Sequence, residues 1–174
     1  KIISLLIIMN FDKIDIDSIR LEDSVKTSLD IVTNNGNMFY SPVMYMPFEI
    51  EEYKNNYTLN LQFRNIDSEP DLENFLDFIQ RLENKLKTLL DIDDDEFTSQ
   101  LRFNRKYDPV LFTKFIFKFN KIECSVTDGD NTPLNIFEIG KNHKVQVKLL
   151  LDKVWKFNNK YSYKLKVKEL KVLT

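Results

Sequence analysis

The chain is poor in the residues that most chemistry and most special backbone geometry require: one Cys, one His, one Trp, three Gly and five Pro in 174 residues. A lone Cys124 excludes an intramolecular disulfide, and a chain without a cysteine framework fits a reducing compartment. The Asn56-Tyr57-Thr58 sequon then carries no weight as a glycosylation site. With one His, one Cys and no Gly-rich phosphate cradle, the residue sets for nucleophilic catalysis and phosphoryl transfer are missing. The sequence therefore reads as non-enzymatic, without cofactor or small-molecule substrate. Asp91, Asp93 and Asp95 match the first ligand spacings of a calcium loop, but Glu96 stands where Gly is needed and Arg102 where the bidentate carboxylate belongs, so no metal is expected.

Long apolar runs are also lacking. Residues 2–9 are apolar apart from Ser4 but span about half of what a membrane helix needs, and the polar segment behind them offers no small-residue cleavage site. Neither membrane insertion nor an export signal is expected. The chain does not begin with Met; with Met9 as the start, the residues before it are an upstream extension, disordered or an incidental edge strand, and residues 1–10 are set apart as a non-native or disordered extension. What remains is rich in core-forming material, with fourteen Phe and seven Tyr. A length of 174 suits one domain, 1–174, burying roughly 70% of the surface its unfolded form exposes.

Charge is abundant but divided. From Leu101 onward sixteen Lys and Arg stand against seven Asp and Glu, whereas the first hundred residues hold nine against twenty. A basic half joined to an acidic half marks a nucleic-acid partner, and equally describes two oppositely charged faces of an ordinary soluble protein.

Hydrophobic periodicity sets the fold class. Ile14, Ile16 and Ile19 alternate with acidic residues, and Asn34-Asn35-Gly36-Asn37 between apolar runs predicts a hairpin. Pro42 and Pro47 bracket an extended stretch that cannot be a fully bonded central strand. Tyr57, Leu59, Leu61 and Phe63 alternate as a strand. Ser68 as N-cap and Pro70 in the first turn open a helix whose Leu72, Phe75, Leu76, Ile79, Leu82, Leu86 and Leu89 repeat at three and four. It should stop near Leu90, before the acidic run 91–96. Beyond it the period returns to two: Leu101 and Phe103, then 114–119, where Phe115, Phe117 and Phe119 share a face and read as core. Ile122, Cys124 and Val126 follow, then an Asp128-Gly129-Asp130 turn and a short strand at Leu134 and Ile136. Strands, one long helix, then more strands define an α+β chain, mainly antiparallel.

The most informative stretch is 143–172. Val145, Val147, Leu149, Leu151, Trp155 and Phe157 share one parity; Lys144, Gln146, Lys148 and Lys156 share the other. After Asn158-Asn159, Tyr161, Tyr163, Leu165 and Val167 alternate with Lys160, Lys164, Lys166 and Lys168. Two amphipathic strands with a basic face are predicted, and Trp155, sharing parity with Val145 and Val147, is expected in the core. Binding a single strand of nucleic acid needs a basic track for phosphates and aromatic faces for bases, and no catalytic group. The candidate track is Lys144, Lys148, Lys156, Lys164, Lys166 and Lys168 with Arg102, Arg105 and Lys106. Tyr107, Tyr161 and Tyr163, with Phe103 and Phe112, are candidates for stacking. A solvated face, or lysines protecting a strand edge, accounts for the same pattern. His143 is expected at the surface.

The order of features also resembles a family. An N-terminal strand region, a Pro-flanked segment before Tyr57-Thr58-Leu59-Asn60-Leu61-Gln62-Phe63, an amphipathic helix, and Gly140-Lys141 leading to Trp155 and a Lys-rich last strand are similar to the single-stranded DNA-binding proteins of the nucleocytoplasmic large DNA viruses. The resemblance covers roughly residues 19–172. It implies an OB-like barrel with one inserted helix. It further implies binding to single-stranded DNA without strong sequence preference in viral DNA replication or repair, at replication sites in the host cytoplasm or nucleus. The chain departs from that pattern in carrying Asn158-Asn159-Lys160 where the family has glycines, and an internal acidic run where the family often has an acidic tail. The rival expectation is a viral structural or assembly protein, a homo-oligomer in which the acidic half of one copy docks on the basic face of the next.

Overall fold

The computed structural model describes residues 9–174. Of the extension expected over 1–10, residues 1–8 lie outside the described residues; the Tyr40 amide donates to the Met9 carbonyl at 2.9 Å, which ties the chain entry to the sheet. Ile14, Ile16 and Ile19 are buried, but from two single 3-10 turns, Phe11–Lys13 and Ile16–Ser18, and the link after each, rather than from a strand. Residues three apart eclipse in such a turn, so Ile16 and Ile19 reach one side without extended backbone.

Strands β1 (Arg20–Asp23) and β2 (Ser28–Val32) form an antiparallel pair, followed by β3 (Met38–Tyr40). The hairpin predicted at Asn34-Asn35-Gly36-Asn37 is not one. Gly36 does take a left-handed φ of 99°, yet β2 and β3 pair with a third strand and not with each other. The chain's turn propensity is local, whereas the partner is chosen by the longer edge on offer. Next come β4 (Met44–Tyr45), held to two residues between its prolines, β5 (Glu51–Tyr53) and β6 (Asn56–Gln62).

Helix α1 (Pro70–Leu90) has Glu69, not Ser68, at its N-cap; the Ser68 hydroxyl instead donates to the Asn65 carbonyl at 3.1 Å. It buries Leu72, Phe75, Phe78, Ile79, Leu82 and Leu86, while Leu89 at its end is exposed. Asp91 closes it in a left-handed conformation, φ 54°, with the Ile92 amide donating to the Lys87 carbonyl. The acidic run 91–96 finds local work: Asp93 and Glu96 form a reciprocal capping box around the turn Asp94–Glu96.

Short β7 (Phe97–Thr98) and β8 (Leu101–Arg102) precede β9 (Val110–Phe115). A small hairpin of β10 (Phe117–Lys118) and β11 (Lys121–Ile122) follows, then β12 (Ser125–Asp128). The continuous strand expected over 114–119 is thus broken: Phe115 is buried, Phe117 half-buried, and Phe119 lies 94% exposed at the hairpin tip. The short strand expected at Leu134 and Ile136 is replaced by a 3-10 turn, Ile136–Glu138. Two strands dominate the rest, β13 (Lys144–Phe157) and β14 (Lys160–Val172), paired along nearly their whole length.

The strands β13, β4, β6, β9 and β14 close a ring, because β14 pairs back onto β13. In chain order the ring reads first, second, third, fifth, fourth, with β9 and β14 parallel and the other junctions antiparallel. That is the five-stranded Greek-key closure of an OB-like barrel, and the α+β class expected from periodicity holds. One end of the core is covered by α1, where Phe39, Phe63, Phe75 and Phe78 meet with ring centroids 5.3–6.3 Å apart.

The helix is fastened to the barrel by a buried carboxylate. Glu83 accepts from the Ser99 hydroxyl (2.5 Å), the Gln100 amide (2.9 Å) and the Tyr163 hydroxyl (2.5 Å). Three donors satisfy a group that would otherwise be costly to bury. Burial, then the Glu83 charge and hydrogen bond, push the Tyr163 phenol well above its ordinary pKa, so it remains a donor. Tyr163→Phe is expected to lower stability by about 1.5–3 kcal/mol in urea unfolding, the range for a hydrogen bond to a charged group. Glu83→Ala should cost more, and the double variant less than the sum of the two.

A candidate nucleic-acid interface on the outer face of the barrel

Two register shifts in the β13–β14 pair decide which side chains face outward. Up to Leu151 the odd residues of β13 point into the core; between Leu151 and Val154 a bulge inserts, and Val154 becomes the buried residue. Trp155, expected in the core, therefore turns outward, paired across with Ser162. An extra residue reverses the parity of everything after it, which simple alternation cannot anticipate. Tyr163 is corrected the opposite way: 0% exposed and spent on Glu83, it leaves the set of stacking candidates.

Around Trp155 the outward face is cationic. Lys164 Nζ lies 4.1 Å from the indole centroid and Lys166 Nζ 5.9 Å. Lys166 also forms an ion pair with Asp152 at 2.6 Å, both side chains about three-quarters buried. Lys114 of β9 is the register partner of Lys166. Two residues back along both strands, Phe112 and Lys164 take the next outward positions. The Arg102 guanidinium stacks over Phe112 at 5.5 Å. One patch thus holds Trp155, Phe112, Lys114, Lys164, Lys166 and Arg102. Burial lowers the Lys164 pKa to about 8, helped by Lys114 and Lys166 and opposed by Asp152. Cations held this close favour an anion between them.

The other predicted residues separate. Lys144 and Lys148 lie on the outward side of β13, over Tyr45 (5.7 Å) and Tyr40 (5.8 Å); Arg64 covers Tyr45 more closely, at 4.3 Å. The Tyr40 hydroxyl donates to Glu169 at 2.7 Å, and burial with that carboxylate raises its pKa to about 12. Lys156 sits over Tyr161 at 5.3 Å, but this pair shares the side of Val154 and Tyr163, away from Trp155. Lys168 occupies the bulge beside Glu169. Arg105, Lys106 and Tyr107 are exposed in the loop before β9 and line a shallow cleft with Gln62 and Arg64. His143 is half-buried, its Nδ1 2.6 Å from the Thr174 carbonyl oxygen.

Sequence reasoning missed Lys114, Arg64, Tyr40 and Tyr45 as members of this surface. Lys114 had a signal, since it alternates with Phe115. The tyrosines join only because β3 and β4 both pair with β13. Cys124 carries no chemistry here: burial pushes its thiol up to about 12, keeping it protonated.

In sequence the chain matches no family model and no curated protein. Its fold is similar to solved structures. One is gp2.5, a single-stranded DNA-binding protein encoded by bacteriophage T7, at 16% identity and a TM-score of 0.56, covering 79% of this chain and 86% of that one. Another is the single-stranded DNA-binding protein of bacteriophage Enc34 in complex with ssDNA, at 9% identity and a TM-score of 0.55, covering 90% and 95%. A C-terminal truncation of the Enc34 protein aligns similarly, at 12% identity and a TM-score of 0.55, covering 91% and 94%. The likeness is one of fold. These neighbours are from bacteriophages, and no comparison shows the family of the nucleocytoplasmic large DNA viruses that the order of sequence features resembles.

Lys164 is expected to titrate near pH 8 in a lysine side-chain NMR experiment. Lys114→Ala should move that midpoint up by removing a like charge, and Asp152→Asn should move it further down. Adding inorganic phosphate should raise it in the parent protein if the patch accepts anions.

Proposed function

We propose that the protein binds single-stranded DNA across the outward face of its barrel, without strong sequence preference. The observation that carries this reading is the placement of Trp155 and Phe112 among Lys114, Lys164, Lys166 and Arg102 on one open side of a five-stranded ring. The rings offer flat apolar surfaces to any base, and the cations offer charge to any phosphate. Stacking does not distinguish one base from another, so weak sequence preference follows from the composition of the patch. Arg64 over Tyr45, and Lys144 and Lys148 beside Tyr45 and Tyr40, extend the same chemistry along β4 and β13. The fold neighbours named as single-stranded DNA-binding proteins support the reading. A role in viral DNA replication or repair, at replication sites in the host cell, is the setting in which such an activity serves.

Because Trp155 is the chain's one tryptophan, its fluorescence reports the proposed contact directly. Oligothymidylate should quench it, with micromolar or tighter affinity that weakens steeply with salt. Trp155→Ala should cost about tenfold or more in affinity by anisotropy. Lys164, Lys166 and Lys168 changed together to Glu should remove most binding and also lower the melting temperature, because Lys166→Glu sets a second carboxylate against the largely buried Asp152. Affinity should also fall between pH 7 and pH 9 as Lys164 loses its proton, and Lys164→Arg should flatten that profile. No binding at low salt would overturn the proposal. Salt-sensitive self-association without any response to oligonucleotide would favour the assembly reading instead.

A further inference from the structure

The β10–β11 hairpin presents a feature that folding does not explain. Its turn residues, Phe119 and Asn120, both have left-handed backbone, φ 53° and 60°. Gly, Asn and Asp suit such a turn, and a Phe there is disfavoured by its Cβ. The ring gains nothing in return, being 94% exposed. Lys118 and Lys121 are cross-strand partners directly below it, both exposed. The nearest carboxylate, Glu123, is 3.9 Å from Lys118 and also exposed. At the hairpin base Phe117 packs on Tyr57 (centroids 5.5 Å apart), which in turn meets Phe137 at 5.9 Å.

The hairpin's place on the barrel matters as much as its composition. Chain pairing along β14 runs with β9 as far as Val167 and resumes with β12 at Glu169. The hairpin projects from the gap between them, at Lys168. Lys114 and Lys166, in the Trp155 patch, are the last outward-facing pair before that gap, followed by the buried pair Phe115 and Val167. Phe119 is five positions along the chain from Lys114, which sets an upper reach of about 17 Å for extended chain. Within that reach of the patch the chain carries an exposed ring with two cations at its base.

We infer that the β10–β11 hairpin is a second contact for single-stranded nucleic acid, with Phe119 stacking on a base and Lys118 and Lys121 meeting the flanking phosphates. This rests on the reading of the barrel face as the primary site and lengthens that site beyond the barrel. It also accounts for a bulky aromatic at a position where Asn would fold more readily.

The test compares oligothymidylates of about 4 and about 16 nucleotides, the range covered by single OB folds, on the full chain at fixed low salt. Phe119→Asn, which suits the left-handed turn, should leave the melting temperature unchanged or raised. It should weaken the long strand about tenfold, the loss of one stacked base, and leave the short strand untouched. Lys118→Glu with Lys121→Glu should reduce the salt slope for the long strand by roughly 1.4, two phosphate contacts at the single-strand value. If Phe119→Asn binds the long strand as tightly as the parent while Trp155→Ala binds it poorly, the hairpin contact is wrong and the barrel face stands. If the parent binds neither strand, both fall. If Phe119→Asn alters sedimentation of the free protein and not its DNA affinity, the hairpin is a protein contact and the inference is overturned.

Discussion

The pairing of β13 with β14 is the constraint on which the remaining architecture hangs. β13 carries β2, β3 and β4 on its far edge, and β14 carries β7, β9 and β12 on its own. The ring closes only because these two long strands are bonded to each other as well as to the ends of the β4, β6, β9 series. Closure gives each of the five ring strands a partner on both sides, removing the open edges those strands would otherwise present. It also leaves an outer face whose side chains are set by the register of this one hairpin.

That register is interrupted twice, and the interruptions have chemical consequences. The bulge after Leu151 buries Val154 and turns Trp155 out beside Lys164 and Lys166. The shift at Lys148 and Leu149 places Lys168 in a bulge at the gap from which the β10–β11 hairpin leaves the barrel. Meanwhile Tyr163, on the inward side, is locked to Glu83 of α1. One strand thus anchors the helix through its inner face and displays cations on its outer face, so helix docking also steadies the basic surface. Asp152 tempers that surface, holding Lys166 in an ion pair at its centre.

Much of the fold was legible because it rests on periodicity. Helix α1, the strand through Leu59 and Leu61, and the two final strands announced themselves by repeats of three to four and of two. The errors share a cause. Gly36 signalled a turn correctly and a hairpin wrongly, because φ preference is local and strand partnership is not. Alternation carried through residues 114–119 and 145–157 puts Phe119 and Trp155 in the core, whereas a turn and a bulge that alternation does not reveal place both outside it. Glu83 gave no sign at all, since an acidic residue on a helix is usually solvated, and only the meeting of Ser99, Gln100 and Tyr163 makes its burial tolerable.

The division between the two levels is therefore physical. By itself the sequence determined the residue chemistry: a basic second half, lysines alternating with apolar residues, abundant aromatics and no catalytic set. Those properties follow from composition and from the period of each segment, which neighbours cannot change. The tertiary structure decided which of those residues stand together. Lys114 meets Lys166 only through a parallel pairing between strands about fifty residues apart, and Arg64 meets Tyr45 only because β4 lies beside β6. A single inserted residue decided that the one tryptophan faces outward. Register is a property of two strands at once, and neither strand carries it alone.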